Sequence, residues 1–122
     1  MVTEKVLKDG FSEFFEGALE EESKGRLKLA VTAYFKAITQ LCDLMLLRKR
    51  GYAPSSHTER FRLLEKEFLP VYLSVDRIFK TYQDTYSQPI TKESCTIIKN
   101  ELKNIIKNGN LAEEFKETLS RI

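Results

Sequence analysis

The residues best placed to do chemistry are Arg50 and His57, with six residues between them, and His57 is the only histidine in the chain. A neutral imidazole can take a proton from a ribose hydroxyl. An arginine beside it can hold charge developing on a phosphoryl group. Arg48, Lys49, Arg60 and Arg62 flank the two. Together the six side chains form a candidate surface for an anion or a nucleic acid. His57 falls at an expected helix start, where positive partial charge disfavours imidazolium, so a neutral ring is expected. The free N–H groups of that first turn would themselves seat a phosphate. The same residues also have a purely structural reading. A histidine beside a helix cap often bonds a backbone carbonyl, and cations at a helix C-terminus complement its dipole.

Other chemistry is missing from the sequence. There is no glycine-rich phosphate loop, no paired-histidine helix motif and no nucleophile elbow. Cys42 and Cys95 each lie in an apolar stripe with no Cys-x-x-Cys spacing, and one histidine cannot build a His-rich metal site. No cofactor is expected. Two buried thiols fit a reducing, cytoplasmic compartment. Tyr34, Phe35, Tyr72 and Phe79 recur at helical spacing. That row could stack bases, but its period fits core packing better. Tyr82 and Tyr86 flank a loop and are further ligand candidates.

The elements that would position these residues are all helical. A first helix is expected from Thr3 to Ser23, with Leu7, Phe11, Phe14 and Ala18 on one stripe and glutamates outside. Its Gly10 and Gly17 share one side, which weakens the helix but lets a neighbour approach. A second helix runs from about Arg26 to Lys49. Ala30, Tyr34, Ala37, Leu41 and Leu44 form one stripe, and Val31, Phe35, Ile38, Cys42 and Met45 an adjacent one. Such a helix must be covered on most sides, by its own chain alone or together with a second subunit. Gly51 stops it. Ser56-His57-Thr58-Glu59 fits a capping box, so a third helix starts near His57. Its stripe of Phe61, Leu64, Phe68, Val71 or Tyr72, Val75, Phe79 and Tyr82 keeps phase across Pro70. One kinked helix or two nearly collinear pieces are expected. After a loop from Gln83 to Ile90, Thr91 caps a fourth helix carrying Cys95, Ile98, Leu102 and Ile105. Asn108-Gly109 closes it. Asn110 with Glu113 would cap a short last helix with Leu111, Phe115, Leu119 and Ile122.

No period-two run, repeat or low-complexity tract interrupts this pattern. The 122 residues suit one domain, residues 1–122, folded as an all-α antiparallel bundle of four main helices plus a short C-terminal helix. Five Gly and three Pro leave too few turns for an all-β fold. The net charge of +2 hides a gradient: residues 1–24 carry seven acids against three Lys or Arg, and residues 25–50 carry one acid against six. That predicts a local basic surface beside an acidic helix that is solvated or meets a basic partner. Charges break every apolar run at the start of the chain, unlike a signal peptide. Lys28, Lys36 and Asp43 would be costly in lipid, so the apolar second segment reads as a core helix and no membrane is expected.

Ala33-Tyr34-Phe35-Lys36-Ala37, then Gln40-Leu41, Leu44, Leu46-Leu47, Gly51-Tyr52, Pro54 and His57, resembles the HEPN domain family. The resemblance covers roughly residues 26–82. It implies a helical bundle, commonly paired as a homodimer, with possible nucleotide or RNA binding. It also implies a possible nucleotidyltransferase-type protein partner, as in toxin–antitoxin pairs. Catalytic members are metal-independent endoribonucleases that use an Arg, a short spacer and a His, a pattern Arg50 and His57 match. Three functions therefore stand open. The first is a dimeric, non-catalytic module that binds a nucleotide, RNA or a partner. The second is a ribonuclease using Arg50 and His57. The third is a structural protein-interaction subunit.

Overall fold

The computed structural model describes all residues, 1–122, and is entirely helical. Helix α1 spans Glu4–Ser23, α2 Leu27–Arg50, α3 His57–Glu67, α4 Leu69–Gln83, α5 Lys92–Asn108 and α6 Lys116–Leu119. A single 3-10 turn, Asp84–Tyr86, follows α4. The helix starts read from the sequence hold where a side chain caps them. Thr3, Ser56 and Thr91 each accept a hydrogen bond from a backbone N–H three residues on. Each satisfies one of the orphan donors of a helix N-terminus.

Glycine ends α1 and α2 in the left-handed region, at Gly25 (φ 76°) and Gly51 (φ 85°). The end of α5 differs from expectation. Gly109 stays right-handed (φ −87°), and Asn110 takes the left-handed position (φ 58°). The N–H of Leu111 bonds the carbonyl of Ile106 at 2.9 Å, and that of Asn110 bonds Lys107 at 3.2 Å. These two bonds close a Schellman motif, in which asparagine is the usual substitute for glycine. Asn110 is therefore a helix ending and not the cap of a final helix. The last helix is a single turn starting at Lys116, with no side-chain cap.

Helix α2 is the centre. Thirteen of its residues are buried, and it packs against α1, α3, α4 and α5. Tyr34, Phe35, Ile38, Leu41, Leu44 and Leu46 are among the largest fully buried side chains. Removing each from water is worth about 1.5–3 kcal/mol. Its own chain thus supplies the cover expected around Phe35. By length and apolarity α2 could cross a membrane, but here most of it lies inside the protein. Helix α1 lies antiparallel to it: Glu22 meets Tyr34, Gly10 meets Gln40, and Glu4 meets Arg48. The Tyr34 hydroxyl donates to Glu22 at 2.6 Å, and Lys99 of α5 donates to the other oxygen at 3.0 Å. That contact ties three helices together, and burial with the Glu22 charge raises the phenol's pKa.

The expected break near Pro70 falls two residues earlier. Phe68 (φ −142°, ψ 64°) separates α3 from α4. This places Pro70 in the first turn of α4, where its missing N–H costs nothing. Beyond the break the buried face is Val71, Ser74, Val75 and Ile78. Phe79 and Tyr82, expected inside, are only half-buried.

Candidate functional site

The three cations that end α2 diverge. Arg48 grips two carboxylates. Its Nε and Nη2 donate to Glu4 at 3.1 and 2.9 Å, and Nη1 and Nη2 donate to Glu114 at 2.8 and 3.0 Å. Lys8 adds a 3.0 Å contact to Glu114. With Arg48's hydrogen bonds as the main cause, the Glu114 carboxyl is pulled down to about 2. Arg50 turns the other way. Its Nη1 donates to Glu67 at 2.7 Å, and its Nε donates to the Tyr52 hydroxyl at 3.1 Å. No hydrogen bond joins Arg50 to His57.

His57 is paired with Arg60 instead. Arg60 Nε and Nη2 form a fork onto Asp43 of α2, at 2.7 and 2.9 Å. Its Nη1 lies 2.8 Å from His57 Nδ1. The Arg60 and Asp43 side chains are 11% and 7% exposed, so the ion pair is inside the protein. Burial pushes the Asp43 carboxyl above its ordinary range, with Arg60 opposing. A guanidinium has donors and no acceptor. His57 Nδ1 must therefore accept, which leaves the ring neutral with its proton on Nε2. Loss of solvent contact is the main cause of the lowered His57 pKa; the charges of Arg60 and Lys36 add to it, and Asp43 opposes them. The lowered pKa and the Arg60 contact both favour the neutral ring expected from the sequence, with partial loss of solvent and neighbouring cations as the causes.

The helix start expected to seat a phosphate is only partly capped, and the N–H groups of His57 and Thr58 make no hydrogen bond within the chain. Ser56 Oγ takes the Glu59 N–H at 3.1 Å, and the Glu59 carboxylate takes the Ser55 N–H at 3.0 Å. The capping box thus exists, with its return bond made one residue upstream. Of the six candidate site residues, Arg48, Arg50 and Arg60 are neutralised by the chain's own acids. Lys49 and Arg62 are exposed and make no ion pair. A local basic surface is therefore much reduced from what charge counting implied.

Sequence reasoning missed the aromatic surroundings of His57. The ring lies 6.1 Å from Phe35 and 6.4 Å from both Phe61 and Phe79, between centroids. Phe35 stacks on Tyr82 at 4.3 Å and 11°. Tyr82 meets Tyr86 edge-on at 5.8 Å, and their hydroxyls are 3.0 Å apart. The row thus runs from exposed His57 across half-buried Phe79 and Tyr82 to Tyr86, which is 76% exposed. Phe35 forms its floor. Tyr34 and Tyr72 lie elsewhere, the first in the core.

No three His, Cys, Asp or Glu side chains gather where they could hold a metal ion. Burial pushes the Cys42 thiol up to about 12 and the Cys95 thiol up to about 11, so neither is a ready nucleophile. Comparison with family models, curated proteins and solved structures gives no match to this chain.

Proposed function

We propose that the protein is a HEPN-like module, an antiparallel bundle of its four main helical segments, that binds a nucleotide or single-stranded RNA without cleaving it. It works as a homodimer in the cytoplasm, away from membranes. The observation that carries this reading is the 2.8 Å contact from Arg60 to His57 Nδ1, set in an aromatic row. A general base needs a free lone pair. Here Nδ1 is already accepting, and Nε2 holds the proton. What remains is a hydrogen-bond donor beside aromatic faces, which suits recognition of a base or an oxygen. Tyr86, the most exposed ring of the row, offers a stacking surface. The internal pairing of Arg48, Arg50 and Arg60 argues against a phosphate-coating mode, so weak salt dependence is expected.

Fluorescence anisotropy with labelled single-stranded RNA and with free nucleotides tests this. Tyr86→Ala should weaken binding about fivefold or more, from the ~1–3 kcal/mol that base stacking contributes. His57→Ala should also weaken it while RNA stays intact with either protein. Cleavage by wild type that vanishes in His57→Ala would install the ribonuclease reading, with Arg50 and His57 as its pair. Binding to none of these ligands would leave a protein-interaction subunit, such as the partner of a nucleotidyltransferase.

A further inference from the structure

A second surface feature lies along the α1–α2 hairpin. Between these two helices runs an open groove of about 260 Å³, lined by Phe14, Gly17 and Glu21 of α1 and Leu29, Ala33 and Lys36 of α2. Leu29 is 56% exposed, on a helix that otherwise buries almost every large apolar side chain.

The two glycines of α1 differ here. A Cβ on Gly10 would come within 2.1 Å of Gln40 Oε1, the movable end of a side chain on α2, so Gly10 at least faces its neighbour helix. A Cβ on Gly17 would meet nothing within 4 Å. Glycine inside a helix costs roughly 1 kcal/mol against alanine. Nothing within the chain compensates for it at Gly17.

Charge along the groove says what would fill it. Because α1 and α2 are antiparallel, Glu21 and Leu29 lie toward their connecting turn, and Phe14 and Lys36 lie toward the far end. Glu21 stands at one end and Lys36 at the other, and the middle is small, with Thr32 its one polar side chain. Lys36 has no ion-pair partner, and Glu21 has only Arg26 at 3.5 Å. A twofold axis reverses one groove against its copy. It sets Glu21 on Lys36 twice, lays Leu29 on Phe14 twice, and brings Gly17 and Ala33 near the axis. A translated copy would set like charge on like charge.

We infer that this groove is the face through which two copies of the chain pair about a twofold axis. The inference rests on the dimeric part of the reading above and is independent of its ligand.

Light scattering of the eluting protein at micromolar concentration reads the mass directly. Wild type is expected at twice the 14.2 kDa of one chain. Gly17→Gln fits the isolated chain and favours helix, so it should give one-chain mass with helical circular dichroism intact. Leu29→Glu should do the same. Lys36→Glu and Glu21→Lys should each give one-chain mass, and the two together should restore the dimer, which no folding defect could do. A wild-type monomer would overturn the inference. So would a dimer that none of these substitutions dissociates, since it would use another face. Anisotropy with the same labelled RNA keeps the two readings apart. A dimer that binds no RNA leaves the interface standing and removes the ligand. A monomer that binds RNA does the reverse.

Discussion

Two arginine clusters, both built on α2, solve the same problem in opposite settings. Arg60 meets Asp43 inside the protein, and Arg48 meets Glu4 and Glu114 at its surface. The surface cluster has more partners, yet water screens it and competes for every bond. The buried pair has one carboxylate and one imidazole, and nothing else can satisfy either charge. A charge matters most where its partner is irreplaceable, not where its partners are most numerous.

The largest expected effect breaks the buried side of this contrast. Asp43→Ala should cost about 3–5 kcal/mol, because it strands a buried guanidinium. Replacing both members, as Asp43→Leu with Arg60→Met, should recover most of that loss. Urea denaturation of the single and double variants checks both. Arg48→Met should cost about 1 kcal/mol or less by the same measurement, and added salt should shrink the difference.

Acid sharpens the comparison, because the two clusters fail in different windows. Glu114 has a folded pKa of about 2 against an ordinary 4.5. Its contribution is complete above pH 4.5 and disappears as pH falls toward 2. The gap between wild type and Arg48→Met should close over that range. His57 is also depressed when folded, from an ordinary 6.5. Its neutral form is tolerated above pH 6.5, and stability declines as pH falls through the lower folded value. His57→Phe should lack this earlier, smaller decline. Thermal midpoints measured across pH separate the two steps.

Local signals were legible in the sequence and distant ones were not. Ser56, Thr91 and Gly51 act on atoms within four residues, so their types alone mark helix ends. The doubled stripe on α2 foretold its burial for the same reason, since helical period is a local property. Arg60 and Asp43 are 17 positions apart, and Arg48 and Glu114 are 66 apart. Only the folded chain decides which acid reaches which cation. Asp43, the one acid of α2 and set among apolar neighbours, was the available hint of a buried counter-charge. The stripe of α4 held at Val71 and Val75, while Phe79 and Tyr82 lie at the edge of the core rather than inside it. Phe35, Phe79, Tyr82 and Tyr86 were each visible as candidates, but their gathering beside His57 joins three helices and only the fold shows it.

The position of α2 also fixes the order in which the molecule comes apart. Every long helix leans on it, so none can persist once it opens. In heavy water, its amides between Tyr34 and Leu46 should be the last to take up deuterium, at a rate set by whole-molecule opening rather than by local fraying.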